Sequence, residues 1–213
     1  VRNLLAELYL GRSGMKISDL RLTDRAGQIV IDEFTTSPFG KGALDFRMRG
    51  IRATELRPSL LRKEGEGHGR AKPFVVRNMN INEITGNFSD LNSIKGSGSL
   101  KFLNTFKTEH NTRLIPLELI TRLGLDLGLL VPVRGEIDFS IDHQKIKLQS
   151  LKNSFSEGKR SHFFFPSANR CYVDFDGNIN IDVKMKQYVL FKLTQPFTVS
   201  IKGTLIKPKY SLK

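Results

Sequence analysis

The stretch Gly177-Asn178-Ile179-Asn180-Ile181-Asp182-Val183-Lys184-Met185 opens with a glycine and then alternates polar and apolar residues. Because successive side chains on a strand point to opposite faces, this pattern predicts a strand with one apolar face and one polar face. The same motif recurs at residues 42–48, 98–102, 135–141 and 203–205. Glycine at the entry indicates a turn or bulge that a residue with a Cβ would resist. Strands of this kind build a sheet with a continuous apolar surface, which something must cover.

Turn residues next to these strands predict two hairpins. Asp176-Gly177 joins residues 171–175 to the 178–185 strand, and Asp142-His143-Gln144 joins the 135–141 strand to residues 145–151. Two segments have helical spacing instead. Residues 1–10 have a leucine-rich side ended by glycine, and residues 114–130 have an apolar stripe with a proline in the first turn.

The fold class that follows is mostly β: a twisted antiparallel sheet, curled into a groove or taco-like shape. We expect one internal helix at about 114–130 and a helical N-terminus. The 213 residues are assigned to one β-rich domain, and the charged, glycine-rich loop 62–72 is the best internal boundary. Because the first residue is Val, we expect the chain to be the C-terminal fragment of a longer protein, with any anchor outside it.

The alternation assigns the apolar residues of these strands to the inner face, as core or lipid-facing candidates. They are Leu44, Phe46, Met48, Leu100, Phe102, Ile137, Phe139, Ile141, Ile179, Ile181, Val183, Phe197, Val199 and Ile201.

The formal net charge of +13 raises nucleic acid or an anionic membrane as a partner. Most basic residues, however, occupy the polar phase of strands, as Arg47, Lys101 and Lys184 do, which is typical of a solvated sheet face. No recognition helix, zinc finger or ribonucleoprotein signature accompanies them, so the sequence disfavours nucleic acid and leaves it as an alternative.

Two charged loops are the candidates for an anionic surface. We expect their side chains to help orient the protein on an anionic membrane or an acidic partner, the alternative being solvated loop tips. These candidates are Arg62, Lys63, Arg70, Lys72, Lys159 and Arg160.

The sequence holds no recognisable catalytic or metal-binding pattern. The four histidines are scattered, and the Asp174/Asp176 pair has too few neighbouring oxygens for a cation. Cys171, the single cysteine, lies on an apolar phase and is expected to be a buried, inert thiol. We therefore expect no enzyme activity, no cofactor and no metal.

The C-terminal 110 residues resemble the C-terminal region of AsmA-like proteins, the envelope family that includes TamB. The resemblance starts from the helix 114–130 before a Gly-led strand at 135–139 and a serine-rich turn at 154–158. It continues in the second Gly-led strand at 177–181 and is most specific in Pro196-Phe197-Thr198-Val199-Ser200-Ile201-Lys202-Gly203-Thr204-Leu205-Ile206-Lys207-Pro208.

This resemblance implies a Gram-negative protein anchored in the inner membrane and facing the periplasm, with a curled sheet around an apolar groove. It implies a role in phospholipid movement towards the outer membrane or in outer-membrane assembly, with phospholipid or another envelope lipid as partner, and an anionic membrane surface or envelope proteins as further partners. The residues alone leave two alternatives, a closed structural scaffold and an open lipid groove. Large exposed apolar patches are rare, which favours the closed scaffold when the resemblance is set aside.

Overall fold

The structure is a computed structural model that describes residues 3–12, 14–24, 27–37, 45–56, 75–104, 132–159, 161–167, 170–189, 192–193, 196–205 and 207–213. Strands make up 83% of this described part, and they form a single antiparallel sheet. The mostly β fold class is thereby confirmed. The predicted helix at 114–130, the 62–72 loop and Leu44 lie outside the described residues.

Fourteen strands and one short 3-10 turn, Glu157–Lys159, are described. The strands are β1 (Asn3–Gly11), β2 (Gly14–Asp24), β3 (Gly27–Thr36), β4 (Asp45–Leu56), β5 (Val75–Asn87), β6 (Asp90–Leu103), β7 (Arg134–Asp142), β8 (Lys145–Phe155), β9 (Ser161–Phe164), β10 (Tyr172–Asp174), β11 (Asn178–Val189), β12 (Lys192–Leu193), β13 (Phe197–Thr204) and β14 (Pro208–Leu212).

Spatial order follows chain order from β1 to β8 and continues through β10, β11, β13 and β14. Each of these strands therefore pairs antiparallel with its predecessor along the path. β12 lies off this path and pairs with β11.

One position in the sheet, between β8 and β11, is shared by two short strands. At one end of this position, β10 pairs Tyr172 with Lys147 of β8 and with Asn180 of β11. At the other end, β9 pairs Phe163 with Ser154 of β8 and with Met185 of β11. The ladder at this position is therefore divided between β9 and β10.

Cys171 directly precedes β10 and is 1% exposed. Its Sγ lies 3.4 Å from the backbone nitrogen of Asp182, which donates to it, and burial raises the pKa of the thiol. The thiol is therefore buried and protonated at neutral pH, as the sequence predicts.

Both predicted hairpins are present. His143 and Gln144 have φ values of 48° and 58°, which fits the two left-handed residues of a type I′ turn, and Gly177 has a φ of 83°. Asp142, at the first turn, accepts hydrogen bonds from Lys147 Nζ at 2.7 Å and from the His143 ring at 2.8 Å. These two bonds lower the pKa of Asp142 to about 2, so its carboxylate stays ionised through the physiological range.

The glycines that begin the repeated motif have two different structural roles. Gly177 and Gly203 have φ values of 83° and 97°, as a turn or bulge requires. Gly98 and Gly135 lie within paired strands opposite Phe139 and Phe102. A bulge or register shift falls at Gly135 in the pairing with β8 and beside Gly98 in the pairing with β5. At Gly135 a Cβ would lie 2.7 Å from the Phe102 ring, so the missing side chain makes room for the aromatic ring on the sheet.

The predicted helical N-terminus is wrong, because residues 3–11 form strand β1. Leu4 pairs with Leu22, Leu8 with Ile17 and Leu10 with Met15. These leucines all stand at even positions, so their spacing also fits a period of two. Pairing with β2 satisfies the backbone groups and decides in favour of the strand.

No helix in the described ranges is long and apolar enough to cross a bilayer.

Candidate functional site

The apolar side chains form rows that run across the sheet, perpendicular to the strands. One row follows the register through eight consecutive strands, from β1 to β8, and spans roughly 34 Å at the usual strand spacing. Its members are Leu4, Leu22, Ile29, Ala53, Met79, Leu100, Ile137 and Leu151. We call the side of the sheet that carries this row the apolar face.

Burial changes along the row. Leu4 on the edge strand is 62% exposed, whereas Ala53 and Leu151 are 1% and 9% exposed. The middle of the apolar face is a packed cluster around Ile51, Ile81 and Phe139. The apolar face is therefore exposed to solvent at β1 and covered towards the centre.

Thirteen of the fourteen predicted inner-face residues are described, and all thirteen lie on the apolar face. Buried members are Phe46, Phe102, Phe139, Ile141, Ile179 and Val199. Half-buried members are Met48, Leu100, Ile137, Ile181, Val183, Phe197 and Ile201.

A cavity of about 280 Å³ lies on the apolar face at the C-terminal half of the sheet. Side chains from β6 and from β13 line the same cavity. In a flat sheet those two strands would stand five spacings, roughly 24 Å, apart. The sheet therefore curves around the cavity in this region.

Half of the lining comes from the predicted inner face: Phe102, Ile137, Ile181, Val183, Phe197, Val199 and Ile201. The other half was missed: Asn104, Pro132, Leu148, Leu151, Phe163, Phe165 and Met185. For Met185 the signal exists, since it continues the phase of Ile181 and Val183. For the consecutive phenylalanines 163–165 the sequence does not show which side chains share a face, because an unbroken apolar run has no alternation of apolar and polar residues.

Asn104 is the one polar side chain among the described residues that line the cavity. It follows directly after β6, its backbone nitrogen donates to the Val133 carbonyl at 2.6 Å, and it is 3% exposed. Neither Oδ1 nor Nδ2 has a hydrogen-bond partner within the described residues. A buried amide without a hydrogen-bond partner destabilises the folded state by about 1–3 kcal/mol, so the unpaired amide is the least expected feature of the cavity.

The opposite side of the sheet carries cross-strand ion pairs. Arg47 and Arg49 both contact Glu83, at 2.9 and 3.2 Å, and Lys213 contacts Asp182 at 2.8 Å. Lys16 bonds Glu33 at 2.7 Å and lowers the pKa of that carboxyl. Exposed pairs like these add little stability, but they neutralise part of the basic face.

Of the six candidates for an anionic surface, the structure describes Lys159, which is exposed at the end of the 3-10 turn. The other five lie outside the described residues. Asp174 accepts hydrogen bonds from the backbone and side chain of Asn178, which lower its pKa. In the described part of the chain, no three acidic, histidine or cysteine side chains come together as a metal site would need.

A second, more open cleft of about 430 Å³ lies beside the end of β4. Its polar groups largely bond one another: Asn87 donates to Asp45 at 2.8 Å, and the backbone of Asp45 donates to Ser37 at 3.0 Å. With its polar groups already engaged, this cleft is a weaker ligand site than the apolar cavity.

Comparison with protein-family models, with curated proteins and with solved structures finds no match to this chain. The functional interpretation therefore depends on the apolar face, the cavity and the resemblance in the C-terminal strands.

Proposed function

We propose that this chain is a non-enzymatic lipid-binding module of the Gram-negative envelope, whose curled sheet holds acyl chains along its apolar face. The observation that carries the proposal is the cavity between β6 and β13, in which thirteen of the fourteen described lining side chains are apolar. Pockets that bind small molecules are mostly apolar and carry few polar groups.

The row of apolar side chains supplies a route to this cavity. It begins at the exposed Leu4 on the edge strand and ends at Ile137 and Leu151, which line the cavity. In this proposal the acyl chain lies against the exposed part of the apolar face, and part of the chain enters the cavity.

The size of the cavity limits what enters. A volume of about 280 Å³ is just below the range for ligand pockets, which begins at about 300 Å³. We infer that the cavity receives part of one acyl chain, while the second chain and head group of a phospholipid stay on the apolar face or outside it.

The resemblance to AsmA-like proteins extends the proposal to the cell. It places the module on the periplasmic side of the inner membrane, with phospholipid or another envelope lipid as cargo and a role in lipid transport or outer-membrane assembly. Basic loop side chains such as Lys159 would then meet anionic head groups or an acidic envelope partner.

Native mass spectrometry of the protein purified from a Gram-negative host tests this function. We expect lipid adducts that persist in moderate salt, because burial of apolar surface is not screened by ions. Ile201→Trp should fill the cavity and remove the adducts. Lys202→Trp, one residue along on the exposed face, should retain them.

Three outcomes would contradict the proposal. Equal adducts in both tryptophan variants would place the lipid elsewhere. No adduct in the parent would favour a closed scaffold, to which the buried cluster at Ile51, Ile81 and Phe139 is also suited. Co-purified nucleic acid, with affinity that falls steeply as salt rises, would favour a phosphate-backbone binder.

A further inference from the structure

We propose that Asn104 is a polar anchor for the acyl carbonyl of the bound lipid. This inference rests on the proposed function and names the part of the ligand that the cavity recognises. The amide Nδ2 donates a hydrogen bond to the carbonyl oxygen, and Oδ1 accepts one from a hydroxyl close to that carbonyl, where the ligand has one. The apolar side chains contact the hydrocarbon.

Asn104 is held in place by its backbone and its burial. It follows β6 directly, and its backbone nitrogen donates to the Val133 carbonyl at 2.6 Å. The residue is 3% exposed. It borders the same cavity as Phe102, two residues earlier on β6. The amide therefore has little freedom to turn towards bulk solvent.

The Asn104 amide has no hydrogen-bond partner among the described residues. Oδ1 and Nδ2 are both unbonded within the described residues, whereas buried polar groups in folded proteins almost always have partners. A buried water would need about two to four polar neighbours, and Asn104 is the one polar side chain of the described lining. A ligand oxygen is the partner that suits this position.

The apolar lining and the Asn104 amide together limit the kind of ligand that fits the cavity. An unbranched alkane would leave both amide atoms unpaired, and a phosphate or sulfate would be buried among apolar side chains with no charged residue in the described lining. An acyl carbonyl is neutral, accepts a hydrogen bond and is joined directly to a hydrocarbon chain. It occurs in ester-linked lipids and in the protonated form of free fatty acids, and the amide can donate to either.

The test compares three probes of equal chain length: dodecanoic acid, methyl dodecanoate and dodecane. Each displaces a polarity-sensitive fluorescent dye from the full chain and from Asn104→Leu, which has nearly the same size and no polar atoms. We expect the variant to bind the acid and the ester about tenfold more weakly, the usual effect of losing one hydrogen bond. Dodecane should bind the variant as well as the parent or better.

The parent also separates the two sources of the carbonyl. Tighter binding of the ester would assign the anchor to an ester-linked lipid, and tighter binding of the acid to a free fatty acid. Ligand-free Asn104→Leu should unfold at the same temperature as the parent or a higher one, because the unpaired amide is gone. This second measurement shows that the variant is folded.

The outcomes that overturn the anchor differ from those that overturn the proposed function. Equal affinities of parent and variant for all three probes would refute the anchor and leave lipid binding intact. An equal loss for dodecane and for the carbonyl probes would show that Asn104 only shapes the cavity. If the parent binds none of the three, both the anchor and the lipid-binding function are wrong.

Discussion

Replacing Ile181 with aspartate is expected to lower the free energy of unfolding by about 4 kcal/mol, since it puts an unpaired charge on the apolar face. Ile181 pairs with Ile201 on β13 and lines the cavity with Val183 and Val199. No described cation lines that cavity to compensate the new carboxylate. Chemical denaturation followed by circular dichroism measures the loss.

The matched control for this change is Lys209→Asp. Lys209 is exposed on β14 and pairs with Lys202, so an aspartate there relieves a like-charge pair on the polar side. Its unfolding free energy should stay within about 0.5 kcal/mol of the parent. If Ile181→Asp were tolerated as well as Lys209→Asp, the assignment of faces in β11 and β13 would be reversed.

Gly98→Ala is expected to destabilise the protein by about 3 kcal/mol, near the upper end of the usual cost of overpacking. A Cβ at Gly98 would collide with the backbone carbonyl of Asn80 and would lie 3.0 Å from the Phe139 ring. Phe139 is 5% exposed in the central cluster and has little room to move. Thermal unfolding of the variant measures the effect.

The control for Gly98→Ala is Ser99→Ala, the next residue on the same strand. Ser99 is half-buried on the opposite side of β6, and loss of its hydroxyl should change stability by less than about 0.5 kcal/mol. An unchanged melting temperature for Gly98→Ala would mean that Phe139 does not lie over Gly98.

Much of the sheet follows from alternation in the sequence. The phase of Ile179, Ile181 and Val183 predicts their common face, because a strand has only two faces and one is polar. The hairpins at His143-Gln144 and Asp176-Gly177 follow from turn chemistry that is local to a few residues. These features depend on neighbours in the chain and can be derived without the fold.

The features that were missed depend on distant partners. β1 is a strand because β2 lies beside it, and no local signal in residues 3–11 separates that result from a helix. The sharing of one sheet position by β9 and β10 depends on where both meet β8 and β11. The roles of Gly98 and Gly135 follow from phenylalanines on neighbouring strands.

The residues of the candidate site also divide into those that follow from the local sequence and those that depend on distant partners. Seven lining residues could be predicted from strand phase, whereas the cavity itself arises from the curvature that brings β6 towards β13. Asn104 had no signal in the sequence, because a single asparagine after a strand is typical of a turn. Its burial becomes evident only when the cavity surrounds it.

The most direct test of the lipid-binding claim is to photolabel the full chain with a phospholipid that carries a diazirine in one acyl chain, and to map the labelled peptides. We predict labels on cavity-lining segments, chiefly Leu148–Leu151 and Phe163–Phe165, with loss of these labels in Ile201→Trp and retention in Lys202→Trp. Labels spread over the charged side of the sheet, or labels unchanged by Ile201→Trp, would contradict the claim that the cavity holds acyl chains.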